Sequence, residues 1–111
     1  MRAIVAAGLP QSAARISFDE GYPSMPPTPG NLAILAVLNG VNQALGYREA
    51  DPNDPVRRGA GDLSFVAPYV SGVGGLGADG AGSHSDRETI DLTTLPRQIE
   101  RAALLIYWLT R

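Results

Sequence analysis

The stretch Thr93-Thr94-Leu95-Pro96-Arg97-Gln98-Ile99-Glu100-Arg101-Ala102-Ala103-Leu104-Leu105-Ile106-Tyr107-Trp108-Leu109 decides how the fold is read. Thr93 or Thr94 is suited to the N-cap and Pro96 to the first turn, so a helix is predicted over 95–109. Its expected inner stripe is Leu95, Ile99, Ala102, Ala103, Ile106 and Leu109. Leu104, Leu105, Tyr107 and Trp108 fill much of the remaining circumference, a pattern that belongs to helices buried on several sides. Little else in the chain can cover it. A second long helix is predicted over 31–45, with Ile34, Leu38, Val41 and Leu45 along one face and Gly46 as its stop. Ala14 to Asp19 alternates, Ile16 and Phe18 against Arg15, Ser17 and Asp19, which predicts a half-buried strand. One helix and one strand leave the last helix short of neighbours, so the chain is expected to be an oligomer or part of a larger fold.

Outward from these elements the chain is dominated by breakers, with 13 glycines and nine prolines in 111 residues. Arg2 to Ala7 favours a helix that ends at Gly8-Leu9-Pro10. Residues 21–30 carry Pro23, Pro26, Pro27 and Pro29 and read as a stiff, extended connector. Tyr47 to Gly61 is polar and turn-rich, and Asp62 to Ala67 fits one short helix ended by Pro68. Six glycines between Ser71 and Ser85 predict loops with at most a short strand.

Composition closes several functional classes. The charged share is 18% against a usual value of about 25%, while 44% is apolar, which is not the composition of a disordered tail. The net charge is −2 and the basic residues are scattered, so a nucleic-acid partner is not expected. With no cysteine there is neither a disulfide scaffold nor a thiolate metal site. All nine basic residues are arginine, which removes Schiff-base chemistry and the phosphate-loop lysine. The apolar run Ala3 to Leu9 stops at Pro10, at the lower limit for a secretory leader, and Ala102 to Leu109 is far too short to span a bilayer. The chain reads as soluble, cytoplasmic rather than secreted, with no membrane partner.

Three segments invite a chemical reading. Gly72-Val73-Gly74-Gly75-Leu76-Gly77 satisfies G-x-G-x-x-G, but Ala78-Asp79-Gly80-Ala81-Gly82-Ser83 follows and cannot start the helix that a dinucleotide site requires. His84 is the single histidine. Glycines before it allow close backbone approach, and Asp86 and Glu88 could orient its ring. A lone loop histidine is more often solvated or hydrogen-bonded than a ligand, and a catalytic zinc needs about three protein ligands. No H-E-x-x-H pair supplies them, and Asp86, two residues after His84, adds a single carboxylate, so a self-sufficient metal site is not expected. Arg57-Arg58, ahead of Gly59-Ala60-Gly61-Asp62, is either a solvated basic turn paired with Asp54 or Asp62 or a guanidinium fork for a substrate carboxylate. No Ser–His–Asp triad stands out, and no residue is assigned as catalytic.

Read in order, three stretches resemble one family, the co-catalytic zinc peptidases that include carboxypeptidase G, aminoacylase and succinyl-diaminopimelate desuccinylase. Ala14-Arg15-Ile16-Ser17-Phe18-Asp19-Glu20-Gly21-Tyr22-Pro23, with Pro26-Pro27-Thr28-Pro29-Gly30-Asn31, is similar to the last strand of that family's lid domain and its return into the catalytic domain. Arg58-Gly59-Ala60-Gly61-Asp62-Leu63-Ser64-Phe65-Val66-Ala67 resembles its glycine-rich segment ending in Asp, although many members carry Ser or Thr where Gly61 stands. Gly75-Leu76-Gly77 through Gly82-Ser83-His84-Ser85 to Glu88 looks like its C-terminal metal-ligand motif, followed by the closing helix.

The resemblance implies an α/β fold class, a C-terminal fragment of a two-domain zinc peptidase. Residues 1–20 would end the lid or dimerisation domain as a helix plus its last strand, 21–30 would be the connector, and 31–111 would belong to the catalytic α/β domain. It implies zinc, two ions in a complete family site, with His84 as a ligand of the second. Asp62 and Glu88 would support the site, and Arg57 or Arg58 would meet the substrate carboxylate. The family's N-terminal motifs, which bring its upstream H-x-D pair together with the paired glutamates, the general base and the remaining ligand, are absent. The expectation is therefore part of a metallopeptidase or amidohydrolase acting on peptides or N-acyl amino acids, inactive alone and not expected to hold zinc by itself. The alternative is a non-catalytic assembly module that forms a homo-oligomer or docks on a separate N-terminal half.

Overall fold

A computed structural model of the chain describes residues 1–7, 10–19, 21–54 and 61–111. In chain order these form α1 (Arg2–Ala6), α2 (Pro29–Ala44), α3 (Leu63–Val66), β1 (Gly80–Ala81), β2 (Thr89–Ile90) and α4 (Leu95–Leu109). The two strands make an antiparallel hairpin in which Gly80 faces Ile90 and Ala81 faces Thr89. Among the described residues no helix is long and apolar enough to cross a membrane.

The two long helices start and stop for local reasons. Thr28 is extended (φ −66°, ψ 158°) and its Oγ1 accepts the Asn31 N–H at 3.2 Å, while Pro29 occupies the first helical position and needs no donor there. At the other end Gly46 has φ 72°, its N–H reaches the Gln43 carbonyl, and the Tyr47 N–H reaches the Asn42 carbonyl at 2.7 Å. That pair of bonds is the Schellman closure, and it requires the left-handed conformation that glycine adopts without a Cβ penalty. Asn39 then pins the outgoing chain, since its side chain both donates to and accepts from the backbone of Ala50 (2.9 and 2.8 Å).

The core lies between α2 and α4. Leu38, Val41 and Leu105 are its buried apolar residues, flanked by the half-buried Leu35, Val37, Leu45, Leu104 and, from the glycine-rich loop, Val73 and Leu76. The expected face of α2 is the observed one, with Leu38 and Val41 buried and Ile34 and Leu45 half-buried. The expected face of α4 is observed only in part, with Leu95 and Ala102 half-buried. Its packed side runs through Gln98, Ala102 and Leu105, while Ile99 and Ile106 are 60% and 62% exposed and Leu109 also faces solvent. A helix apolar nearly all round carries two candidate stripes, and the neighbour rather than the periodicity selects one.

Two further expectations change. Residues 14–19 join no ladder, and Phe18 lies exposed with the Arg2 guanidinium 4.8 Å above its ring. Alternation marks a strand only where a second edge exists to pair with it. Thr94 does stand at the N-cap of α4, but its hydroxyl donates to the Asp91 carbonyl at 2.8 Å instead of capping the helix.

The outcome is an open chain. Its radius of gyration is 19.6 Å, where about 13 Å is usual for this length. It exposes 9005 Å², against roughly 5,800 Å² for a compact monomer of 11.6 kDa. Among the described residues three buried apolar side chains, each contributing roughly 1.5–3 kcal/mol, are a small return on the conformational entropy of ordering the chain.

Candidate functional site

The hairpin carries His84 at its tip. Gly80 permits the ladder, because a Cβ there would stand 2.1 Å from the Thr89 carbonyl oxygen. The turn is closed by Ser85: its N–H and its hydroxyl both donate to the Gly82 carbonyl (3.1 and 2.6 Å), and its Oγ accepts the Arg87 N–H at 3.2 Å. The Glu88 N–H then reaches the Ser85 carbonyl at 3.2 Å. Within this turn His84 has φ 64°, a left-handed conformation that costs a residue with a Cβ roughly 1–2 kcal/mol. The ring is exposed, as are Asp86 and Glu88 beside it.

The base of the hairpin is tied to the start of α4 through Asp79 and Asp91. The Asp79 N–H donates to Thr94 Oγ1 at 3.3 Å, its carbonyl accepts the Asp91 N–H at 2.8 Å, and its carboxylate accepts from Gln98 Nε2 at 3.1 Å. Arg97 adds an ion pair to the same carboxylate at 3.8 Å. Asp91 Oδ1 accepts both the N–H and the hydroxyl of Thr93 (2.9 and 2.6 Å), and the Thr93 hydroxyl, followed by its N–H, holds that carboxyl below the usual carboxylate range. Along the flank of α4, the Tyr47 hydroxyl donates to Glu100 at 2.8 Å, which raises the phenol above its ordinary value.

The other candidates are dispersed. Asp62 is exposed at the start of α3, and Arg57 and Arg58 lie outside the described residues. Among the described residues no three His, Asp or Glu side chains come close enough to hold a metal ion. Glu88 lines a hollow of about 610 Å³ with Asp79, and His84 is not part of its wall. A separate cleft of about 600 Å³ runs between the proline-rich connector and α2, lined by Pro23, Met25, Leu32, Leu63 and Val73 among others. The 72–77 loop leads into no helix. Instead the Gly72 N–H donates to Asn31 Oδ1 at 3.0 Å and the Gly75 carbonyl accepts from Arg101 Nη2 at 3.1 Å, so it is a strap across α2 and α4. Asp79, Gln98 and Asn31 organise these connections and do not figure among the sequence candidates. Polar residues inside glycine-rich or apolar surroundings carried the only hint.

No protein-family model, curated protein or solved structure matches the chain.

Proposed function

We propose that the chain is the C-terminal part of a zinc-dependent metallopeptidase or amidohydrolase that hydrolyses amide bonds of peptides or N-acyl amino acids, inactive by itself. The observation that carries the reading is His84, an exposed imidazole held in a strained conformation at the tip of a hairpin anchored at its base. Strain retained at a loop tip without any packing benefit points to a role for the side chain. The resemblance of 75–88 to a metal-ligand motif gives that role its chemistry.

Among the described residues the donor set fits one ligand position and falls short of a zinc site, so a complete site would need further ligands and a base from outside them. Zinc, where bound, activates water towards an amide carbonyl. This chain contributes the imidazole and the scaffold that aims it. Asp62 and Glu88 stand as supporting carboxylates, and Arg57 or Arg58 as partners for the substrate carboxylate.

The purified chain, assayed with zinc on N-acyl amino acids and dipeptides, should show no turnover. Mixed with a polypeptide bearing the H-x-D pair and the paired glutamates, it should gain metal-dependent hydrolysis that His84→Ala abolishes. Hydrolysis that survives His84→Ala in the mixture rejects the reading.

A second reading rests on the outward face of α4, where Ile99 and Ile106 meet solvent. An assembly module would cover that face with a second copy or with the complementing half. Light scattering that gives a folded, monodisperse monomer counts against self-association.

A further inference from the structure

We propose that Asp79 is the positioning residue for His84, fixing the direction in which the hairpin presents the imidazole. The inference rests on the reading of His84 as a metal ligand and adds how that ligand is aimed. Every residue from 77 to 93 is exposed, so no apolar packing holds the arm. A two-residue ladder fixes the strands to each other but not to the body of the molecule. Between its roots, at Leu76 packed against the core and at Thr94 entering α4, the cross-links from arm to body run mostly through one residue. Asp79 immediately precedes β1, and its N–H, carbonyl and carboxylate each bond a different group, Thr94 Oγ1, the Asp91 N–H and Gln98 Nε2.

The three partners differ in anchorage, and this singles out the carboxylate. Asp91 and Thr94 belong to the same exposed or half-buried segment that leads into α4. Gln98 is 3% exposed, so its amide belongs to the buried side of α4. The Asp79 carboxylate is thus the contact that reaches from the arm into the core. Its ion pair with Arg97 contributes little by comparison, because both side chains are half exposed and the separation is 3.8 Å.

The test is made on the full chain without metal, using residual dipolar couplings of the backbone amides of residues 80–90 and 95–109. In the native sequence both sets should fit one alignment frame. Asp79→Ala should leave the α4 couplings unchanged and reduce the hairpin couplings about twofold as the arm reorients. Asp79→Asn keeps an acceptor for Gln98 Nε2 and should restore them, while Gln98→Leu removes the donor and should reproduce the Asp79→Ala loss. The one imidazole signal of the chain, from His84, should follow the hairpin in every variant. Hairpin couplings that keep the helix frame in Asp79→Ala overturn the proposal, as does a native chain in which arm and helix never share a frame. Neither result depends on zinc. Failure of the complementation assay with intact positioning therefore removes the metal reading alone, and the converse removes only the role of Asp79.

Discussion

Leu38, Val41 and Leu105 hold α2 against α4 with almost no surface left to water, whereas no residue from 77 to 93 is even half-buried and the hairpin there is held by hydrogen bonds. The two regions divide the work of the fold. Apolar burial is non-directional and sets which helices pair, with some freedom in how they rotate. Hydrogen bonds carry little net stability but fix direction, which is what an arm bearing one imidazole needs.

The sharpest way to break the contrast is in the small core. Leu105→Ala should cost about 2–5 kcal/mol and, with so few buried side chains to share the loss, abolish the helical thermal transition by circular dichroism. A helical melt within a few degrees of the native one would show that packing is not what holds the pair. Gly80→Ala should act on the arm alone. The clash with the Thr89 carbonyl is worth about 1–3 kcal/mol and should erase the cross-strand nuclear Overhauser effects between 80 and 90 while the helix signals stay.

Smaller effects sharpen the same division. Thr28→Ala removes the α2 cap and should cost about 1 kcal/mol, read as faster amide exchange in the first turn of α2. His84→Gly relieves the left-handed conformation and should slow exchange at the Ser85 and Glu88 amides by a free energy within about 1 kcal/mol, the gain being offset by the looser unfolded glycine. The smallest is a pH effect. Asp91 titrates below its ordinary value in the folded chain, so its contribution is complete above the unfolded carboxylate pKa and fades as pH falls through the folded one. The Thr93 amide proton resonance should shift on acidification and return on neutralisation, and Asp91→Asn should remove that dependence.

The helices were legible because their signals are local. Gly46 marks the end of α2 and Ile34, Leu38, Val41 and Leu45 its inner face, whereas its start at Pro29 falls inside the stretch read as an extended connector. The short helix before Pro68 and the glycine-rich loop with one brief strand also follow the sequence. The rotation of α4 was legible only in part: Leu95 and Ala102 lie on the packed side as expected, but nothing local ranks Leu105 above Ile99 and Ile106 until a neighbour covers it. The strand at 14–19 failed for the complementary reason, since pairing is decided by a distant edge. At the candidate site His84 stood out by being the one imidazole, but Asp79 did not. Its role depends on Gln98, nineteen residues away and turned inwards on a helix.

The openness of the chain has a consequence in solution thermodynamics. Surface that is already wet in the folded state is not newly exposed on denaturation, and both the urea slope and the heat-capacity increment scale with what is newly exposed. A chain that starts from 9005 Å² should therefore unfold with a shallow slope and a flat stability curve for its length. Engagement of a genuine complement would register as a steepening of both, even before any turnover could be assayed.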